Sequence, residues 1–399
     1  MLNPRLSSLT AYPFDRLRAL LDPVAPPVGV EPIVLSVGEP RHAPPPLVRE
    51  ILSEQADLWG RYPPIEGTAA FREAVADWLR RRYGLPAKLV VANDQILPVA
   101  GSREALYLVA AAVLPRTLSR PLGGAPLVLV PNPFYQVYQG AAVMHGGEPV
   151  YLDASRRTGF LPDLDAIDEA TLARAALMYL CSPANPQGAV ADLGYLRRAI
   201  GLAREHGFVL VVDECYAEIF DREPPPGALQ ACASLGGDFA NVIVFHSLSK
   251  RSSVPGLRSG FVAGDPALIA AFRRLRSFGG ASVGLPILAA STALWRDDAH
   301  VEANRRLYRD KLDLAQSLLD GRFGFYRPAG GFFLWLEVGD GERAALALWR
   351  EAALRVLPGA YLAQADENDV NPGAPYIRMA LIDSLAGTED ALRRVLNVL

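Results

Sequence analysis

Lysine is the scarcest charged residue in this sequence. The 399 residues contain 40 lysines and arginines together, and only three of these are lysine: Lys88, Lys250 and Lys311. Because arginine carries almost all the positive charge, a lysine in a distinctive setting suggests a task that a guanidinium cannot perform. An amine can lose its proton and form a Schiff base with a carbonyl compound, whereas a guanidinium cannot.

Cysteine, histidine and long apolar runs are also scarce, and each scarcity excludes a class of protein. Three scattered cysteines without a CxxC pattern and five dispersed histidines predict neither a disulfide framework nor a metal site. No apolar run approaches the roughly 18 residues that a membrane helix needs, and the N-terminus lacks the apolar core of a signal peptide. The net charge of −3 offers no basic excess for nucleic acid. We therefore expect a protein of the reducing cytoplasm, with neither membrane nor nucleic acid as a partner.

Continuous apolar strands alternate with helices over most of the chain. Such runs predict a mostly parallel sheet that is covered by helices on both faces. Beyond about residue 285, a long charged helix at 299–319 precedes a strand-rich part that is typical of a smaller α+β domain. We predict three parts: an N-terminal segment at 1–45 that contributes to the small domain, a large domain at 46–285 and a C-terminal small domain at 286–399. Surface turns are predicted at 121–125 and 224–227.

Polar residues follow the predicted strands at their carboxyl ends, where ligands bind in sheets of this kind. Lys250 ends a serine-rich turn after the apolar run 242–245. Asp213 directly follows Val-Leu-Val-Val, where a carboxylate is costly to bury without a partner. A pyridinium nitrogen would be such a partner, and helix capping is the alternative. The sequence therefore points to an aromatic aldehyde as a ligand of Lys250.

A phosphate on that ligand would have several candidate partners. Residues 101–103 (Gly-Ser-Arg) stand at a predicted helix N-terminus, which attracts anions, although a plain turn has the same pattern. Ser247, Ser249 and Arg258 flank the lysine and could bind the same phosphate. Tyr135 could stack on a ring or belong to the core. Asn185 could contact a ring or serve only turn chemistry.

The motifs together resemble those of the fold-type I, pyridoxal-phosphate-dependent aminotransferases of class I/II. The resemblance extends from residue 36 to residue 378 in the order and spacing of that family. It rests on 36–40 (SVGEP), Tyr62 with Gly67, 101–104 (GSRE), 133–135 (PFY), 185–188 (NPQG), 213–216 (DECY), 247–250 (SLSK), Arg258 and Arg378. The implied fold is α/β, with a large domain built on a mostly parallel seven-stranded sheet flanked by helices and a smaller α+β domain.

The resemblance also implies a role for each matching residue. Lys250 would form the Schiff base with pyridoxal 5'-phosphate and then move the substrate α-proton, and Asp213 would pair with the ring nitrogen. The remaining cofactor-binding residues would be Gly101, Ser102, Arg103, Tyr135, Asn185, Tyr216, Ser247, Ser249 and Arg258, with Tyr216 and Asn185 on the ring hydroxyl oxygen. Gly38, Asn185 and Arg378 would bind the substrate, with Arg378 on its α-carboxylate. Tyr62 would reach the phosphate of a neighbouring subunit, which implies a homodimer with shared active sites.

Within the family, residues 246–265 most closely resemble the bacterial succinyldiaminopimelate aminotransferases of lysine biosynthesis. The implied reaction exchanges an amino group between glutamate and N-succinyl-2-amino-6-oxopimelate. Arg41 is a possible contact for the extra carboxylates, or else a solvated loop arginine. Three alternatives stay open: an aminotransferase for aspartate, aromatic or alanine-type substrates, a carbon–sulfur lyase on the same fold, and a non-catalytic regulator that binds the cofactor.

Overall fold

The computed structural model describes residues 2–114 and 124–399, so most of the turn predicted at 121–125 lies outside the described residues. The α-helices are α1 (Pro13–Leu21), α2 (Pro46–Glu54), α3 (Ala69–Tyr83), α4 (Ala92–Gln95), α5 (Ser102–Val113), α6 (Gln136–Met144), α7 (Glu169–Arg174), α8 (Leu193–His206), α9 (Ala228–Ser234), α10 (Leu248–Arg251), α11 (Pro266–Arg276), α12 (Leu285–Arg296), α13 (Ala299–Leu319), α14 (Gly341–Ala352) and α15 (Leu385–Val398). The strands are β1 (Ile33–Val34), β2 (Ile96–Val99), β3 (Leu127–Asn132), β4 (Glu148–Asp153), β5 (Ala175–Cys181), β6 (Val209–Asp213), β7 (Val242–Ser247), β8 (Gly260–Gly264), β9 (Phe333–Glu337), β10 (Leu354–Arg355), β11 (Leu357–Pro358) and β12 (Tyr376–Ala380).

A seven-stranded sheet forms the centre of the molecule, in the order β2-β8-β7-β6-β5-β3-β4. Strand β8 is antiparallel to both of its neighbours, and the other strands run parallel to one another. The predicted fold class is thereby confirmed. The strands are continuously apolar because both faces are covered: Leu210 and Val212 belong to one buried cluster, and Val209 and Val211 belong to the cluster on the other face.

Helices α8 and α2 differ in how they end. Helix α8 begins with a cap in which the Tyr195 backbone N–H donates to Asp192 Oδ1 at 2.7 Å, and it ends at Gly207 in the left-handed conformation. These are ordinary helix start and stop signals, and they explain the bounds of α8. Helix α2 ends at Glu54, and a separate 3-10 segment (Ala56–Gly60) follows it.

A three-stranded antiparallel sheet, β11-β12-β9, lies in the C-terminal part of the chain. Strand β1 pairs in parallel with β10, so the N-terminal segment joins this part of the molecule. Helix α12, by contrast, packs against α2 and α3, and its Trp295 lies in the core cluster of the large sheet. We therefore keep the three-part domain division as a proposal and move its second boundary from residue 285 to the start of α13.

No helix among the described residues is both long enough and apolar enough to cross a membrane.

Candidate active site

A cavity of about 290 Å³ opens at the carboxyl ends of the central strands. Nine of the residues singled out from the sequence line it: Gly38, Ser102, Arg103, Tyr135, Asn185, Asp213, Tyr216, Lys250 and Arg378. They come from separate strand ends and turns, and β5, β6 and β7 are adjacent in the sheet. The topology therefore brings together residues that are more than 300 positions apart in the chain.

Lys250 stands on the short helix α10, directly after β7. The hydroxyl of Ser247 caps this helix by accepting from the Ser249 backbone N–H at 3.1 Å. The Lys250 Nζ donates to the carbonyl oxygen of Gly38 and lies 5.3 Å from the centre of the Phe332 ring. Burial, together with the nearby guanidinium of Arg378, lowers the pKa of this amine to about 8. The site therefore increases the fraction of the amine that is neutral and nucleophilic.

Asp213 ends β6 and is only 3% exposed. Its carboxylate accepts from the Tyr138 hydroxyl at 2.8 Å and from the Cys215 backbone N–H at 3.2 Å. Burial raises the pKa of Asp213, while these hydrogen bonds act in the opposite direction. Both donors are neutral, so a protonated ring nitrogen would supply the positive charge that this buried carboxylate otherwise meets only at longer range.

Tyr138 is a site residue that the sequence analysis missed. Its ring stacks on Tyr179 with centroids 4.6 Å apart and an interplanar angle of 10°, and its hydroxyl reaches Asp213. The sequence does contain a signal for Tyr138: it follows Tyr135 by three residues, which is close to one helical turn, so the two side chains can lie on the same side. Cys181 and Cys215 also line the cavity, and neither was assigned a role from the sequence.

Arg378 is buried among neutral partners on β12. Its Nη1 donates to Asn185 Oδ1 at 3.1 Å, and its Nη2 donates to the Ser36 carbonyl at 2.7 Å. Its guanidinium carbon lies 4.4 Å from the centre of the Phe333 ring, and burial lowers its pKa to about 10. A buried arginine with no carboxylate among these partners can bind a substrate carboxylate.

The predicted phosphate-binding residues lie at the N-terminus of α5, at the start of α10 and at Arg258. Gly101 precedes that helix with φ = 86°, and the Arg258 guanidinium packs directly over it and donates to the Ala100 carbonyl at 3.3 Å. Ser247 and Ser249 are joined by a 3.0 Å hydrogen bond between their hydroxyls. The free N–H groups of a helix N-terminus, an arginine and two hydroxyls form a suitable set of phosphate ligands.

Three predicted residues have surroundings that differ from the rest of the set. The side chain of Arg103 donates to the Tyr12 hydroxyl at 3.0 Å, which leaves its backbone N–H for the phosphate. Arg41 pairs with Asp383 at 3.4 Å on the surface, outside the residues described as lining the cavity. Tyr62 is fully exposed, so within the described residues of one subunit it does not meet Lys250.

The residues that are present fit pyridoxal phosphate on three independent counts. Lys250 offers an amine with a lowered pKa, and Asp213 offers a buried carboxylate with neutral donors. The start of α5, with Arg258 packed over Gly101, offers an anion-binding site that we call the anion cup. Within residues 2–114 and 124–399 there is no group of three or more histidine, cysteine, aspartate or glutamate side chains that could hold a metal ion.

Known proteins resemble this chain over nearly its whole length. An aminotransferase structure from Neisseria meningitidis has a TM-score of 0.92 and 39% identity, and the match covers 99% of each chain. The 4-dedimethylamino-4-oxo-anhydrotetracycline transaminase OxyQ of Streptomyces rimosus is 35% identical over 348 residues, which cover 87% of this chain and 88% of that protein. The LL-diaminopimelate aminotransferase of Desulforudis audaxviator is 33% identical over 364 residues, with coverage of 89% and 88%.

A structure of a probable N-succinyldiaminopimelate aminotransferase from Thermus thermophilus is 27% identical, with a TM-score of 0.83 and coverage of 96% of this chain and 98% of that chain. The family profile described as aminotransferase class I and II matches residues 30–380. The resemblance drawn from the motifs is thereby confirmed. The chain belongs to the class I and II aminotransferases, which use pyridoxal phosphate to exchange amino groups between amino acids and 2-oxo acids.

Proposed function

We propose that this aminotransferase exchanges an amino group between glutamate and N-succinyl-2-amino-6-oxopimelate. The observation that carries the proposal is the presence of two guanidinium groups in one cavity. Arg378 is buried beside Asn185, and Arg103 is more exposed beside Tyr12, yet both line the cavity that contains Lys250. Glutamate and pimelate derivatives carry a second carboxylate, and arginine is well suited to bind carboxylates.

Similarity to proteins named for diaminopimelate supports the same substrate skeleton. The Desulforudis relative is named an LL-diaminopimelate aminotransferase, and the Thermus structure is named a probable N-succinyldiaminopimelate aminotransferase. The two names differ in whether the distant amino group is free or succinylated. LL-diaminopimelate is therefore the second candidate substrate, and the identity of 33% over 364 residues is the specific observation that favours it.

The roles that we assign to the chain follow from the contacts in the cavity. Bound pyridoxal phosphate would supply the electron sink that stabilises negative charge at the substrate α-carbon. Arg378 would bind the α-carboxylate and so orient the α C–H bond towards Lys250. The Lys250 amine, with its pKa lowered by burial, would move the α-proton from the substrate to the cofactor in one half-reaction and move a proton back to the α-carbon in the other. Asp213, which Tyr138 holds in place, would keep the ring nitrogen protonated.

The phosphate group would anchor the cofactor at the N-terminus of α5. Ser102 and Arg103 would donate backbone N–H groups, and Arg258, Ser247 and Ser249 would donate side-chain groups. We also propose that the enzyme is a homodimer in which Tyr62 of one subunit completes the phosphate site of the other. The full exposure of Tyr62 supports a function outside its own subunit.

A reverse assay on the purified holoenzyme tests the substrate proposal. N-succinyl-LL-2,6-diaminopimelate, LL-2,6-diaminopimelate, aspartate, phenylalanine and alanine are offered as amino donors to 2-oxoglutarate, and glutamate formation is measured. We expect the succinylated donor to have the highest kcat/KM. A preference for the free diamine would favour the second candidate, and activity with neither pimelate derivative would refute the substrate class. Release of pyruvate and ammonia from cystathionine without a 2-oxo acid would indicate a lyase.

A further inference from the structure

A buried lysine, Lys311, lies outside the catalytic cavity. Lys311 on α13 is only 3% exposed, and the roles assigned above do not use it. Asn304, Tyr308 and Lys311 are spaced four and three residues apart, so they lie on one face of the helix. Burial lowers the pKa of Lys311 to about 8, and Asp383 acts in the opposite direction. Burying an amine is costly, so its partners in the fold are informative.

Those partners form a continuous chain of hydrogen bonds. The Nζ of Lys311 lies 2.7 Å from His42 Nε2 and donates to the Leu381 carbonyl at 3.2 Å. The other ring nitrogen of His42, Nδ1, lies 2.7 Å from Asn304 Oδ1. Asn304 Nδ2 then donates to the carbonyl oxygen of Lys250 at 3.2 Å. The chain therefore ends on the backbone of the lysine that would carry the cofactor.

One assignment of the protons gives each hydrogen bond in this series both a donor and an acceptor. The ammonium of Lys311 has no lone pair, so His42 Nε2 must accept from it. The proton of the neutral imidazole is then on Nδ1, which donates to Asn304 Oδ1. That arrangement leaves the amide N–H groups of Asn304 for the backbone carbonyls of Lys250 and Arg251. Burial lowers the pKa of His42, which favours this neutral form, although its bond to Asn304 acts in the opposite direction.

The segment 36–42 connects His42 to the reacting groups. The Gly38 carbonyl accepts from Lys250 Nζ, and the Ser36 carbonyl accepts from Arg378 Nη2 at 2.7 Å. At the other end of the segment, the His42 carbonyl accepts from the hydroxyl of Ser253 at 2.9 Å. One short segment thus contacts both the amine and the carboxylate-binding arginine, and its anchor is His42.

Aromatic packing supports the same connection. The His42 ring lies 4.5 Å from the Tyr308 ring, which stacks on Phe332 at 5.1 Å with an interplanar angle of 14°. Phe332 in turn faces Lys250 Nζ. The rings therefore restrict sideways movement of His42, while the hydrogen bonds set its orientation.

We propose that Lys311, His42 and Asn304 form a positioning relay that holds segment 36–42 against the turn carrying Lys250. The relay rests on the proposed roles of Lys250 and Arg378, because it acts through them. All three are positioning residues, because they lie outside the residues that line the cavity. Loss of the relay would displace the Gly38 and Ser36 carbonyls and so disturb both the amine and the arginine.

The test compares Lys311→Met, His42→Phe and the double variant with the wild-type holoenzyme. Lys311→Met keeps the length of the side chain and removes its charge, and His42→Phe keeps a ring against Tyr308. We expect each single variant to lower kcat/KM by about 10- to 100-fold, which is the range for misplacement at a distance from the chemistry, through both kcat and KM. Because the residues act as a unit, the double variant should lose little more than either single variant. Lys88→Met is the matched control, since Lys88 is exposed.

A spectral titration separates positioning from simple structural support. The near-visible absorption of the bound cofactor is followed against pH without any substrate, so a wrong substrate assignment does not affect it. We expect the midpoint to move in the relay variants and to stay unchanged in Lys88→Met. The proposal is overturned by variants that melt at lower temperature but keep the wild-type midpoint, kcat and KM. Additive losses in the double variant would also overturn it, because they would mean that the two residues act separately.

Discussion

Burial shifts the pKa of ionisable residues that line the cavity. Burial lowers the pKa of Lys250 and of Arg378 and raises the pKa of Asp213, so each shift increases the fraction of the neutral form. For Lys250 the shift is useful. At a pKa of about 8, roughly one amine in ten is neutral at pH 7, compared with fewer than one in a thousand at the unperturbed value. Arginine at position 250 would stay charged, which explains why this position has a lysine in a chain that otherwise uses arginine.

The lowered pKa of Lys250 predicts how the cofactor-free protein takes up pyridoxal phosphate. Only the neutral amine attacks the aldehyde, so the rate should rise with pH and level off above about pH 8. Stopped-flow measurement of the near-visible absorption across pH 6 to 10 checks this expectation. A rate that continues to rise towards pH 10 would mean that the amine keeps its ordinary pKa. Lys250→Ala is the control, and it should show no such absorption change.

At the scale of elements, strand ends and helix starts supply the site. Strand β6 ends in Asp213, and Lys250 lies on α10 directly after β7. Helix α5 would bind the phosphate with its N-terminus. Arg258 adopts a left-handed conformation with φ = 53° and ψ = 54°, which is uncommon for a residue with a side chain. That conformation turns its guanidinium over Gly101. The anion cup therefore depends on two backbone positions with positive φ.

Gly101→Ala should damage this cup. The added Cβ would lie 2.1 Å from Arg258 Nη2, and the backbone has φ = +86°, so the arginine must move and the backbone is strained. We expect the affinity of the cofactor-free protein for pyridoxal phosphate to fall by about tenfold or more, as a cost of 1 to 3 kcal/mol predicts. The measurement is an absorption titration.

Gly256→Ala is the control for this prediction. Gly256 lies two residues before Arg258, and a Cβ there would meet nothing within 4 Å. Its affinity should equal that of the wild type. If Gly101→Ala binds the cofactor equally well, Arg258 is not a phosphate ligand at this position.

At the scale of the whole molecule, a single subunit leaves large aromatic side chains in solvent. Tyr62 is fully exposed, Phe278 is 89% exposed and Trp59 is 56% exposed. Aromatic residues of this kind are enriched in protein interfaces. Together with the family membership, their exposure supports the proposed homodimer, in which each active site would be completed by the other subunit.

Mixed dimers test whether Tyr62 acts across the interface. Lys250→Ala and Tyr62→Ala should each be inactive or weak alone. In a dimer with one subunit of each kind, one site combines a native Lys250 with a native Tyr62 from its neighbour, so co-expression should restore measurable activity. Lys250→Ala combined with Asp213→Asn is the control, because every site then lacks one residue of its own subunit. No recovery with the Tyr62 variant would place Tyr62 outside the partner's site.

The relay and the cavity together link three distant parts of the chain. Segment 36–42, α10 and α13 meet at Lys250, and the sequence separation between His42 and Lys311 is 269 residues. Of the three lysines, Lys311 is buried, Lys250 is partly buried and lines the cavity, and Lys88 is exposed. The scarcity of lysine is visible in the sequence, whereas the role that we propose for Lys311 depends on its tertiary contacts.

The sequence by itself determined the fold class and the identity of the cofactor-binding motifs. Continuous apolar strands are stable only when both faces are covered, and a lone lysine and a carboxylate after such strands mark the ligand edge. Only the tertiary structure decided that Tyr138 holds Asp213, that the Arg103 side chain meets Tyr12 and that Arg41 pairs with Asp383 instead of lining the cavity. Such pairs join elements distant in the chain, so their geometry depends on how strands, helices and loops pack, which local patterns do not encode.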